Sequence, residues 1–176
     1  DPLRSTQAIH QLTPSMIGDR LDYVYRAVEQ TAATLDGSVP LIGFAGSPWT
    51  VACYLIEGAS SKAFIKPRAC LYKEPKAMHA LLDTLADITI IYLNQQIRSG
   101  AQALMLFDTW GGLLSTPDYL DFSLRTMKRI TQGLIKSSNG RPVPLVIYTK
   151  SGGQWLEQIA DTGCDAVGID WTTSVA

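Results

Sequence analysis

Four short apolar runs in this 176-residue chain each end in a loop whose residue types could do chemistry. The first is Val39 to Phe44, after which Gly43, Gly46, Pro48 and Gly58 punctuate a segment carrying Trp49 and Tyr54. Glycine permits close backbone approach, proline ends a strand's hydrogen-bond ladder, and the two aromatics offer flat apolar surface with a polar handle. Ala101 to Phe107 meets Asp108-Thr109-Trp110-Gly111-Gly112, Val143 to Tyr148 meets Thr149-Lys150-Ser151, and Cys164 to Ile169 meets Asp170-Trp171-Thr172. Such junctions between a strand and the next helix are where α/β proteins keep their binding and catalytic groups. Asp108, Lys150 and Asp170 sit at these ends, where carboxylates and lysines ordinarily pair with one another or cap helices. Trp110, Trp155 and Trp171 read as core or loop packing.

Several other chemistries find no pattern here. Cys53, Cys70 and Cys164 are odd in number and far apart, with no cysteine pair or neighbouring histidine at metal-ligand spacing, so free and mostly buried thiols are expected. The glycines match neither the dinucleotide fingerprint nor the phosphate-binding loop. A formal net charge of −1 supplies no field for nucleic acid or an anionic membrane, so neither is expected as a partner. An acidic ligand would need local positive charge. No apolar run reaches membrane-spanning length and the first residues lack the character of a signal peptide, which makes the cytoplasm the expected location.

The elements that must position these loops follow from periodicity. Leu21, Val24, Tyr25, Val28, Ala32 and Leu35 recur at helical spacing and Asp36-Gly37 closes the helix. Residues 3–12 have no clear period, and Thr13-Pro14-Ser15 reads as a turn into that helix. Ala52 to Ile56 reads as helical, and Ser60 or Ser61 as the cap of another short helix before Pro67. Glu74-Pro75 opens a long helix that ends at Ser99-Gly100. Thr116-Pro117 starts one running past Ile135 to Ser137-Ser138-Asn139-Gly140, and Trp155 to Ala160 forms a short one. Apolar strands alternating with amphipathic helices predict a parallel sheet covered by helices, either an open doubly wound sheet or a closed (β/α)8 barrel. The missing nucleotide fingerprints favour the barrel. Four strands are half of one, so residues 1–176 are expected to be a single partial barrel domain.

The loops, taken together, carry a resemblance. Residues 40–50 (Pro40 to Thr50) with Tyr54 to Gly58, Gly100 to Ala103 with Phe107 to Gly112, Tyr148-Thr149-Lys150, and Gly168 to Thr172 resemble uroporphyrinogen decarboxylase, in order and at the right separations. The resemblance covers nearly the whole chain and corresponds to the middle of a barrel about twice as long. It implies a cofactor-free, cytoplasmic homodimer that removes the acetate carboxyls of uroporphyrinogen III to give coproporphyrinogen III in haem biosynthesis. The family's arginine loop, its pyrrole-contacting aspartate and its C-terminal histidine have no counterpart in this stretch; His10 and His79 are in the wrong contexts to replace that histidine.

Carried over residue by residue, the resemblance makes Tyr54 a hydroxyl donor to a substrate carboxylate and to the reacting centre, a catalytic role. Thr109 stands where many relatives have serine and keeps the hydroxyl. Phe44, Trp49, Phe107 and Tyr148 are expected to form apolar walls of the cleft, with Gly46 admitting the ligand close to backbone. Taken alone, each aromatic reads as core packing, Tyr54 as a helix tyrosine with a satisfied hydroxyl, and Thr109 as a helix cap. Two alternatives accompany this reading. One is a barrel relative acting as a zinc-dependent corrinoid or thiol methyltransferase, whose zinc would need histidine and cysteine ligands; the other is a non-catalytic fragment.

Overall fold

The computed structural model describes residues 2, 3, 12 and 20–174; the expected turn at residues 13–15 and His10 lie outside them. Helix α1 (Asp22–Leu35) ends where Asp36 turns left-handed at φ 44° and returns its N–H to the Ala32 carbonyl. Strand β1 (Ile42–Gly46) leads into α2 (Pro48–Glu57). That helix begins at Pro48, ahead of the expected Ala52: Ser47 accepts a hydrogen bond from the Thr50 N–H, Pro48 fills the first turn, and Gly58 at φ 87° stops it. α3 (Ile65–Lys73) contains Pro67 within its first turn, a position that needs no N–H, and so extends beyond the expected boundary. Ser61 does cap its approach, accepting from the N–H groups of Ala63 and Phe64. The long helix α4 (Pro75–Arg98) runs back to the foot of the sheet.

Strand β2 (Ala103–Asp108) is followed by a 3-10 turn at Gly111–Leu113. The next helix is not the single α-helix its periodicity predicts. It comprises α5 (Thr116–Asp118), a π-helical turn Tyr119–Leu124 and α6 (Arg125–Gly133), and its cap is Ser115 rather than Thr116. It also stops early, because Asn94 of α4 takes over its end: Asn94 donates to the Gly133 carbonyl and accepts from the Ile135 N–H. The segment read as a helix end is instead a small antiparallel hairpin, β3 (Ser137–Ser138) and β4 (Arg141–Pro142), turned by Asn139-Gly140 at φ 50° and 75°. β5 (Leu145–Thr149), α7 (Leu156–Ala160) and β6 (Ala166–Gly168) complete the described elements.

The main sheet has the order β1-β2-β5-β6, parallel throughout, each strand beside the one that follows it within this sheet. That monotonic order has no reversal of the kind a doubly wound sheet places at its ligand site. It is the order of one side of a (β/α)8 barrel. Side chains alternate across it. Leu104, Leu106, Leu145 and Ile147 face the helices and join Leu81, Leu82, Leu85, Leu93 and Ile130 in the core. The opposite, concave face carries Ile42, Phe44, Met105, Phe107, Val146 and Tyr148, which are exposed or half-buried; Phe44 is 60% exposed.

A candidate cleft at the carboxyl ends of the strands

β2 delivers Asp108 fully buried at its last position, where three hydroxyls converge on it. Oδ1 accepts from Ser47 Oγ at 2.7 Å and Thr50 Oγ1 at 3.1 Å, and Oδ2 accepts from Ser123 Oγ at 2.7 Å. Burial pushes the carboxyl above its ordinary range, and the three donors pull it back only in part. Ser47 also donates its N–H to the Phe107 carbonyl, and Thr50 Oγ1 accepts from the Trp110 N–H at 3.3 Å. Asp108 therefore ties together the start of α2, the loop after β2, and the π turn that supplies Ser123. A π turn inserts an extra residue per turn and re-aims the side chains it carries. It also aims Tyr119, whose hydroxyl meets Thr149 Oγ1 at 2.9 Å and whose ring stacks on Trp155 at 3.8 Å.

On this base stand the groups that face outward. Phe44, Phe107 and Tyr148 form an edge-to-face row across three adjacent strands, with successive centroids 6.0 Å apart. The row follows from register, since Phe107 lies opposite Tyr148 on one side and Gly46 on the other. Tyr54 is 42% exposed, its ring edge-on to Phe64 at 5.5 Å and to Trp110 at 6.2 Å. Neither the Tyr54 hydroxyl nor the Thr109 hydroxyl has a hydrogen-bond partner among the described residues. Thr109 is thus not spent as a helix cap, the role its type alone suggests. Lys150 follows β5 and holds its ammonium 5.9 Å from the centroid of the Trp110 ring.

Trp49 requires a correction. It is 0% exposed, inside the core beneath α2, and its indole N–H donates to the Trp110 carbonyl at 3.0 Å. At the second position of α2, after the proline that starts the helix, its side chain is enclosed and holds the Trp110 loop through that bond, so it offers no surface as a wall. At Gly46 an added Cβ would stand 3.2 Å from Val51 Cγ2, so α2 itself presses on this glycine. Phe64 and Trp110 are the participants that sequence reasoning missed. Phe64 is buried at φ 44°, an unusual conformation for an aromatic residue, and packs 4.7 Å from Trp110; no local pattern announces either fact.

The remaining reactive types are occupied elsewhere. Cys53 is buried and its thiol is pushed up chiefly by desolvation and further by Asp108, which removes it as a nucleophile. Cys70 and Cys164 are partly exposed and unbridged. His79 stacks on Phe122 at 4.5 Å, with Asp121 and Arg125 on its two ring nitrogens, in a surface cluster between α4 and the π turn. Among the described residues no three histidine, cysteine or acidic side chains are grouped as metal ligands.

A family model described as "Uroporphyrinogen decarboxylase (URO-D)" matches residues 1–176. Curated proteins named uroporphyrinogen decarboxylase are similar to it: that of Mannheimia succiniciproducens is 52% identical over 175 residues, covering 99% of this chain and 49% of that protein. That of Vibrio cholerae is 60% identical over 156 residues, 89% of this chain and 44% of the relative, and that of Coxiella burnetii is 51% identical over 175 residues, 99% and 48%. The chain spans about half the length of the curated relatives it matches. Among solved structures, a methyltransferase from Methanosarcina mazei superposes with a TM-score of 0.70 at 21% identity, covering 85% of this chain and 42% of that one. At that identity the likeness shows a shared fold.

Proposed function

Because the chain belongs to the uroporphyrinogen decarboxylase family, we propose that it forms one wall of a cleft in which the full-length protein decarboxylates the four acetate side chains of uroporphyrinogen III, giving coproporphyrinogen III. The observation that carries this reading is the family match over residues 1–176. The geometry is compatible with what the chemistry needs. Loss of CO2 from a pyrrole-bound acetate would leave a carbanion unless the ring is protonated first; the electrons of the broken C–C bond then flow into the ring. A proton afterwards replaces the carboxyl on the methylene carbon, and the ring gives up the one it gained. The substrate serves as its own electron sink, so the reaction draws on protein groups for position, proton delivery and charge stabilisation.

In this reading the row of Phe44, Phe107 and Tyr148 packs on the flat pyrrole rings of a puckered macrocycle, and Gly46 offers it backbone rather than a side chain. Tyr54 and Thr109 present free hydroxyls to carboxylates at the rim. The full-length protein acts without a cofactor, as a homodimer, in the cytoplasm; no helix among the described residues is long and apolar enough to cross a membrane.

Tyr54→Phe tests the central assignment. Removing a donor to a charged group costs about 1.5–3 kcal/mol, so kcat for uroporphyrinogen should fall by about 10- to 100-fold. The ring keeps its contacts with Phe64 and Trp110, so the thermal midpoint should stay within about 2 °C of the parent. Steady-state kinetics on the full-length variant decides this: unchanged kcat and KM would remove Tyr54 from the site.

A further inference from the structure

The residues that directly follow the four parallel strands include one cation, Lys150. Its position is fixed by backbone. Its N–H donates to the Asp108 carbonyl at 3.2 Å, extending the β2–β5 ladder by one step and setting Lys150 beside Thr109. Gly112 packs so closely on the Lys150 carbonyl that no side chain would fit there. By the alternation that puts Tyr148 on the concave face, Lys150 continues the same row toward the mouth.

The ammonium is placed but not neutralised. No carboxylate lies within ion-pair distance of it among the described residues. The acid that senses it, Asp170, is already taken: its oxygens accept from the Ser151 N–H at 2.7 Å, the Thr172 N–H at 2.9 Å and the Thr172 hydroxyl at 2.5 Å. The Trp110 ring holds the lysine over its face without satisfying its three donors, and Tyr54 touches that same ring.

We propose that Lys150 is a carboxylate anchor: its ammonium receives one acetate carboxylate of an acidic macrocycle on the side of the mouth where Tyr54 lies, and so favours ligands that still carry that acetate. This rests on the decarboxylase reading for the identity of the macrocycle. The sequence alone leaves Lys150 to pair with a neighbouring acid or cap a helix; among the described residues it makes no ion pair and lies against the Trp110 ring.

The experiment uses the full-length protein, its Lys150→Gln and Lys150→Arg variants, and two probes, the octacarboxylate uroporphyrin and the tetracarboxylate coproporphyrin, titrated by quenching of protein fluorescence. Lys150→Gln should weaken uroporphyrin binding by about tenfold and coproporphyrin binding by less, Lys150→Arg should restore most of the loss, and the salt dependence of binding should be shallower in Lys150→Gln. Equal affinities in parent and Lys150→Gln would overturn the proposal, as would equal losses in both variants with both probes, which mark a role in packing alone. Turnover of uroporphyrinogen by the parent is measured separately. Its absence would sink the decarboxylase reading while a selective loss in Lys150→Gln still upheld the anchor; turnover with unaltered binding would do the reverse.

Discussion

Asp108→Ala in the full-length protein should lower stability by roughly 3–5 kcal/mol and abolish most turnover, although Asp108 itself touches no ligand in the proposed cleft. Truncation leaves the Ser47, Thr50 and Ser123 hydroxyls without their acceptor and opens a void at the end of β2. The functional loss follows because Ser47 starts the helix bearing Tyr54 and Thr50 holds the Trp110 backbone. Asp108→Asn is the milder control. Its carbonyl can still accept from Ser47 and Thr50, but its amide meets Ser123 as a donor, so that hydroxyl must reverse; about 1–2 kcal/mol should be lost.

The two variants also differ from the parent in pH dependence. Burial raises the folded-state pKa of Asp108 above its ordinary value of 3.8, so the native state binds the proton more tightly than the unfolded chain. The stability this contributes is full below the ordinary value and is lost as pH rises through the raised one. Asp108→Asn lacks that term, so its deficit relative to the parent should shrink as pH rises from about 4 to about 8 in urea titrations. A deficit that widens with pH would mean that the three hydroxyls outweigh desolvation. Equal stability of Asp108→Ala and the parent would end the account of Asp108 as a tie between elements.

Gly111→Ala is expected to have the next largest effect. A Cβ there would fall inside the Asp108 carboxylate and 2.8 Å from Thr149 Cγ2. Neither neighbour can give way, since the carboxylate is held at both oxygens and Thr149 is held by Tyr119. We expect roughly 2–4 kcal/mol of destabilisation with a matching fall in turnover. Gly37→Ala makes the comparison: nothing lies within 4 Å of the added atom, and only the left-handed backbone at φ 74° is strained, at about 1 kcal/mol. Urea midpoints of the two variants separate crowding from backbone strain, and a Gly111→Ala loss no greater than that of Gly37→Ala would refute the crowding.

Much of this was legible locally. The apolar runs predicted parallel strands because strands covered by helices read as continuous apolar stretches, and Gly58 marked the end of α2, whose start at Pro48 precedes the expected Ala52. The barrel came from strand–helix alternation without nucleotide fingerprints and the family from four loops read together, and the match over residues 1–176 agrees with that reading. What escaped were relations across the chain. Ser47 lies 61 residues from Asp108, and the π turn that brings Ser123 to it leaves no trace in an apolar period. Trp49 was misplaced because the motif fixes a residue's position along the chain, while burial is decided by which way a helix faces. The hairpin at Asn139-Gly140 was readable from its turn pair, but the apolar residues before it prolonged the helical pattern.

The side chain of Gln96 ties the margin of β1 to a helix far along the chain. Reaching from α4, it accepts from the Phe44 N–H at 3.1 Å and donates to the Phe44 carbonyl at 3.0 Å, answering two backbone groups on the outer margin of β1. An unanswered margin is where a nascent chain recruits the wrong strand. Here the partner lies 52 residues away in the same chain, so among the described residues the Phe44 backbone is satisfied by a helix side chain on the side away from β2. A side chain without the amide at position 96 would leave both Phe44 groups to find other partners.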